Sequence, residues 1–211
     1  SARKTVPSAD VVIVNPEHYA VALKYDHDRA EAPYVVAKGV DEMALYIRQI
    51  ASEHKIEVME LDEGMFEWGL RAAGMRMSFL PTRVGLATDV LARNPQIKTI
   101  TSPYDDGEVY VAMPALKLDA ALLHVNDADR WGNTLITAHD PLFDNLFARA
   151  ADACYVSCER LHDKLELDAA TARFNLFERY LVRGVVHAPG GAHPTYNSPD
   201  YGWDMDHLKR Y

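Results

Sequence analysis

The sequence predicts an α/β fold, a mainly parallel sheet flanked by helices. Short apolar runs closed by Asn-Pro or Gly recur along the chain at strand length. Between them lie stretches with apolar residues at helical spacing. The 211 residues, 48% hydrophobic and 25% charged, suffice for one good core or two small domains.

The elements follow in order. Ser1 to Ser8 is polar and unpatterned and reads as a tail. Val11 to Val14 is an apolar run ended by Asn15-Pro16, hence a buried strand entering a turn. Tyr19 to Tyr25 and Tyr34 to Lys38 are further strands, the latter closed by Gly39. Asp41 is placed to cap a helix running to His54, with Met43, Ile47, Ile50 and Ala51 on its apolar face. Ile56 to Leu61 alternates as a strand does. These strands are expected at one end of the sheet.

Met65 to Met75 reads as a helix, and Phe79 to Gly85, rich in Pro and Gly, as a shaped loop. Strands are expected at Lys98–Thr101, Val109–Met113, Ala120–Val125 and Ala153–Ser157, and helices at Asp144–Ala151 and Ala169–Val182. From Ala188 onward Gly, Pro, His and Tyr dominate and little regular structure is expected.

The net charge of -9 argues against nucleic acid, since phosphates need basic partners. The two cysteines, Cys154 and Cys158, read as reduced core thiols rather than a disulfide or half a zinc site. No apolar run approaches membrane-spanning length and no signal-peptide core is present, so a cytoplasmic setting is expected.

From Asp62 to Tyr211 the chain resembles the α subunit of family I CoA-transferases. The resemblance rests on residues 79–89 (FLPTRVGLATD), 101–104 (TSPY), 112–120 (AMPALKLDA), 129–133 (DRWGN), 140–144 (DPLFD) and 188–195 (APGGAHPT). Asp62 to Met65 and Thr101 to Tyr104 look closest to a steroid-degradation branch that hydrolyses and opens rings of CoA-linked fragments. The resemblance implies a CoA-transferase-like fold and an acyl-CoA thioester as substrate. It also implies a β-type subunit or a second copy as partner. In the ring-opening branch the working glutamate is implied at Glu63; in ordinary family I transferases it belongs to the β subunit.

Residues 9–60 instead resemble the cytoplasmic domain of the flagellar and type III export-switch proteins, through residues 10–25 (DVVIVNPEHYAVALKY) and 32–44 (APYVVAKGVDEMA). That family self-cleaves between the Asn and Pro of an Asn-Pro-Thr-His loop, which implies Asn15, Pro16 and His18 as an autocleavage site. Glu17 stands where the family has Thr and tips the reading toward an intact chain. Secretion-apparatus proteins are then the implied partners.

Neither family normally contains the other. The chain therefore reads as a chimera, natural or engineered, spliced near Ile56 to Glu63, where each family has a similar strand. Residues 1–61 form the export-switch-like α/β segment and residues 62–211 the CoA-transferase-like region. The splice also removes a Gly-rich turn that helps hold CoA in that family.

Thioester chemistry needs a carboxylate near the carbonyl, as nucleophile or as base for water, and N–H donors for the oxyanion. Glu63 at a strand-to-helix junction is the candidate; the alternative is that Asp62-Glu63 only caps the following helix. Arg83, Ser102, Asn126, Gly190, Gly191 and His193 are candidate substrate-binding residues. Arg83 offers a planar fork and the Gly pair a close backbone approach, against the alternatives of a solvated loop Arg and an ordinary turn. His193 can hold either a carboxylate or a turn.

The polar residues Asn126, Asp129, Asn133, His139 and Asp140 match no metal-ligand template, and loop capping accounts for them; no metal is expected. The functional expectation is an α-type CoA-transferase or ring-opening hydrolase subunit. The alternatives are an export-switch fragment acting as a binding module and a folded chimera without activity.

Overall fold

The computed structural model describes residues 2–9, 11–15, 19–24, 28, 34–40, 42–54, 59, 61–139 and 141–210. The chain divides into two compact units, Ser1–Leu61 and Asp62–Tyr211.

In the first unit, α1 (Ala2–Thr5) and a 3₁₀ turn at Val6–Ser8 replace the expected unpatterned tail. Val6 is fully buried, because the turn seats it in the unit's core. Strands β1 (Val11–Asn15), β2 (Tyr19–Lys24) and β3 (Tyr34–Val40) pair antiparallel in that order, a sheet of their own rather than the end of a larger one. Helix α2 (Glu42–Glu53) buries Ile47, Ile50 and Ala51 with Ala22 and Val6. Met43, expected on that face, is 47% exposed: it sits in the first turn, one full turn ahead of Ile47 where the packing begins. The strand expected over 56–61 falls mostly outside the described residues, as do Pro16 and His18; Asn15 is the last residue of β1.

The second unit opens with Asp62, whose Oδ1 accepts the Gly64 N–H at 2.8 Å and caps α3 (Glu63–Gly74). Strand β4 (Phe79–Thr82) follows, then α4 (Val90–Arg93), β5 (Lys98–Thr101) and β6 (Val109–Pro114). These strands form an antiparallel sheet in the order β4-β6-β5. The expected loop is therefore a strand over its first half. Pro81 is accommodated because β4 lies at the edge, where a missing N–H costs no ladder bond.

The parallel sheet is built from β7 (Leu118–Asp129), the short β8 (Thr134–Leu135), β9 (Ala151–His162) and β10 (Val182–His187), in the order β10-β9-β7-β8. β7, β9 and β10 run parallel; β8 returns antiparallel as a hairpin with β7. Helix α5 (Asp144–Ala150) covers the inner face, where Ala121, Leu123, Val125, Cys154, Val156 and Cys158 pack with Ala148, Ile136 and Phe177. Each fully buried Val here contributes about 1.5–3 kcal/mol. A satellite cluster joins Leu70 of α3 to Leu146 and Ala150, bordered by the rings of Phe66, Phe143 and Phe147 at centroid distances of 5.9–6.4 Å.

The mixed α/β fold with a parallel sheet and flanking helices is thus as expected. Further stretches differ from the sequence reading. The helix expected over 169–182 is absent: 3₁₀ turns at Ala172–Phe174 and Arg179–Leu181 bracket Phe177, which inserts into the core. Val182–His187 is β10, held in parallel register with β9, a long-range pairing that overrides local propensity. β7 and β9 each run 12 residues, well beyond their apolar stretches. The chain beyond β10 is largely turns, ending in α6 (Met205–Leu208).

Candidate functional site

The candidate residues fall into three groups. The first surrounds the N-terminus of α3. Glu63 is the first helical residue and is exposed; the cap is supplied by Asp62, so the Glu63 carboxylate is not consumed by it. Gly64 approaches Val84 so closely that an added Cβ would lie 3.2 Å from its Cγ1, which sets the helix end against the 82–85 loop. Gly85, at φ +89°, lets that loop turn over Met65. Arg83, 69% exposed, pairs with Glu108 at 2.6 Å. Ser102 lies in the adjoining loop, donating its N–H to the Glu108 carbonyl at 2.8 Å and its hydroxyl to Asp106 at 3.1 Å. Gly64 against Val84, Arg83 paired with Glu108, and Ser102 bonded to the Glu108 backbone link the three segments that carry Glu63, Arg83 and Ser102.

The second group lies at the C-terminal ends of β7 and β9, the edge at which parallel α/β sheets bind ligands. Its centre is Glu159, which composition and motif did not single out. Glu159 Oε1 accepts from His124 Nε2 at 2.6 Å and from the Tyr201 hydroxyl at 2.8 Å; Oε2 accepts the Gly190 N–H at 2.8 Å. The side chain is only 8% exposed. Burial opposes its ionisation, but the Gly190 N–H, His124 and Tyr201 outweigh burial and bring the carboxyl down to about 2. His124 Nδ1 bonds Ser157 Oγ at 2.8 Å, so both ring nitrogens are engaged. Gly191 sits over the His124 ring; a Cβ there would lie 2.7 Å from Cε1, so only Gly fits.

Beside it, Asp127 accepts from Arg160 Nη2 at 2.8 Å and from His162 at 2.6 Å, and Arg160 also pairs with Asp200. Burial raises the Asp127 pKa, but Arg160 and His162 reverse this and lower it. Asn126, fully buried, donates to the Ser198 carbonyl at 3.0 Å and to Asp200 at 2.8 Å, and accepts the Thr137 N–H at 2.8 Å. Asn126, Gly190 and Gly191 thus fasten the 188–201 segment over the strand ends. Against its outer side lies an open groove of about 520 Å³ lined by His139, Tyr196, Ser198, Tyr201 and Trp203.

His193 forms the third group, bonded through Nε2 to Asp204 at 2.9 Å with the His207 ring 5.0 Å away. Asp129 and Asn133 cap the β7–β8 turn: Asp129 Oδ1 accepts the N–H of Trp131 at 2.9 Å and of Asn133 at 3.0 Å, and Oδ2 that of Leu165 at 3.0 Å. The available sequence signal for Glu159, Arg160 and His162 was their position directly after the apolar run ending at Cys158.

One sheet face is unusually apolar for an exposed surface. Leu122, Tyr155 and Val186, on neighbouring strands, are 74%, 46% and 62% exposed. Both cysteines are free and buried; burial pushes the Cys154 thiol up to about 11 and raises Cys158 as well. Among the described residues no helix is long and apolar enough to cross a membrane.

Comparison with known proteins divides the chain in the same manner. Residues 1–63 match the model of the FlhB HrpN YscU SpaS family. The flagellar biosynthetic protein FlhB of Bacillus subtilis is 62% identical over 55 residues, 26% of this chain and 15% of that protein. The cholesterol ring-cleaving hydrolase IpdA subunit of Rhodococcus jostii is 45% identical over 163 residues, 74% of this chain and 55% of that protein. The chain spans about half the length of this relative. The structure of glutaconate coenzyme A-transferase from Acidaminococcus fermentans matches with a TM-score of 0.67 at 25% identity, covering 77% of this chain and 55% of that one. The chain is accordingly a two-segment chimera, an export-family-like N-terminus joined to a larger body with a CoA-transferase-like fold.

Proposed function

We propose that residues 62–211 act as an α-type subunit of an enzyme on acyl-CoA thioesters, a CoA-transferase or a ring-opening hydrolase. The 45% identity to a cholesterol ring-cleaving hydrolase subunit across 74% of the chain carries this reading. Glu63 is the working carboxylate. As nucleophile it attacks the thioester carbonyl, expels the CoA thiolate and leaves an acyl-glutamyl anhydride. As base it takes a proton from the attacking water. Its exposure and its freedom from the cap support both roles. Arg83 and Ser102, on segments linked to the start of α3 through Val84 and Glu108, contact the substrate.

Glu159 is the poorer candidate, because a carboxylate held near 2 by several donors is a weak base and a weak nucleophile. It instead holds the Gly190-Gly191 backbone and His124 in place. The exposed Leu122, Tyr155 and Val186 face favours coverage by a β-type subunit or a second copy. Buried free thiols agree with a reducing, cytoplasmic setting. The test is co-expression with β-type CoA-transferase subunits and assay of acyl-CoA turnover. Thioester cleavage or exchange that needs both chains supports the proposal; a stable complex without turnover of any acyl-CoA counts against it.

A second reading concerns residues 1–61 alone, where the 62% identity to FlhB favours a docking module for secretion-apparatus proteins. Under this reading Glu17 leaves the Asn15-Pro16 bond whole. Intact-mass measurement of the purified chain should give one full-length species, and a break after Asn15 would contradict this.

A further inference from the structure

The cluster at the end of the chain carries a property that thioester chemistry does not use. His193, Asp204 and His207 place one ligand atom each within 4.8 Å of one another. We infer that these three residues form a binding site for a borderline divalent transition ion such as Zn²⁺. Two imidazoles and one carboxylate suit Zn²⁺, Co²⁺ or Ni²⁺ and disfavour Mg²⁺ or Ca²⁺, which take oxygen ligands. A tetrahedral Zn²⁺ site with bonds of about 2.0–2.2 Å spaces its ligands by roughly 3.3 Å, so the present spacing needs only small side-chain rotations.

The backbone around the cluster is fixed before any ion arrives. The Asp204 N–H donates to the Pro194 carbonyl at 3.0 Å, and the His193 N–H to the Gly190 carbonyl at 3.0 Å. Asp204 Oδ1 accepts the His207 N–H at 2.9 Å, which orients the carboxylate and leaves Oδ2 toward His193. The Tyr196 and Trp203 rings, 5.1 Å apart, brace the same fold of chain. An ion bound here replaces the His193–Asp204 hydrogen bond with two coordinate bonds. It staples residue 193 to residues 204 and 207, closing the segment that covers Glu159 and His124. Three protein ligands leave further positions to water or to a donor from a partner.

The test is titration of the full-length chain with ZnCl₂ alone by calorimetry, with far-UV circular dichroism as a check of folding. The expected result is one saturable site per chain, weakened about tenfold or more in Asp204→Asn and in His207→Ala. His207 lies in the short terminal helix outside both cores, so its variant keeps the fold. Absence of a saturable one-to-one site in the unaltered chain overturns the inference. So does binding of equal affinity in both variants, which would place the ion on other residues.

Discussion

Two of the polar regions of the larger unit are built on opposite principles. At the start of α3, Glu63 and Arg83 are exposed, and the ion pair of Arg83 with Glu108 is a surface one. At the ends of β7 and β9, Glu159 is enclosed, with His124, Tyr201 and the Gly190 N–H saturating its oxygens. A carboxylate in the second setting contributes to stability, and one in the first is available for chemistry. In the enclosed region the Glu159 and Asp127 carboxyls are both lowered by the donors around them. Perturbation by several donors here marks carboxylates that hold the chain together.

If that contrast is right, mutations separate cleanly by region. The largest stability loss is expected for Asp129→Ala, which removes the fully buried carboxylate that accepts the N–H groups of Trp131, Asn133 and Leu165. About 3–5 kcal/mol should be lost in urea unfolding. Gly191→Ala drives a Cβ into the His124 ring and should cost about 1–3 kcal/mol, with loss of protection of the 188–201 backbone in hydrogen exchange.

Acid sharpens the comparison further. The folded-state pKa values of Glu159, Asp127 and Asp129 are depressed, so their contribution is complete above the ordinary carboxylate range. It is lost as the pH falls, for Glu159 from about 4.5 toward about 2. Asp144 behaves oppositely: burial raises its carboxyl to about 6, so the folded state keeps a proton that the unfolded chain releases near 3.8. Its effect is a stability that declines as the pH rises from about 4 to 6. Asp144→Asn should remove that decline and raise the melting temperature at pH 7, by about 1–3 kcal/mol of stability. The smallest change is expected for Arg83→Ala, within about 1 kcal/mol, since an exposed ion pair contributes little.

Much of the fold was legible because apolar runs and punctuation report burial locally. β1, β2, β3, β5, β6 and helices α2, α3 and α5 lie where the periodicity puts them. β10 was not legible, because Val182–His187 becomes a strand only through its parallel pairing with β9. The polar network was hidden for a related reason. Its bonds join positions 35 apart, as in His124–Glu159, or 42 apart, as in Glu159–Tyr201. No local pattern encodes such a meeting, and the charged ends of β7 and β9 resembled loops once the apolar run stopped. Glu63, Arg83 and Ser102 were singled out by motif; the structure adds the contacts Gly64–Val84, Arg83–Glu108 and Ser102–Glu108 between their segments.

The central claim is that Glu63 does the chemistry while Glu159 maintains the scaffold. The direct measurement compares acyl-CoA turnover and melting temperature for Glu63→Gln and Glu159→Gln, each co-expressed with the proposed β-type subunit. Glu63→Gln is predicted to lose turnover by about 10²-fold or more with an unchanged melting temperature. Glu159→Gln is predicted to melt earlier by an amount matching about 1–3 kcal/mol. Full turnover in Glu63→Gln, or a loss of turnover in Glu159→Gln without any change in melting, would contradict the account.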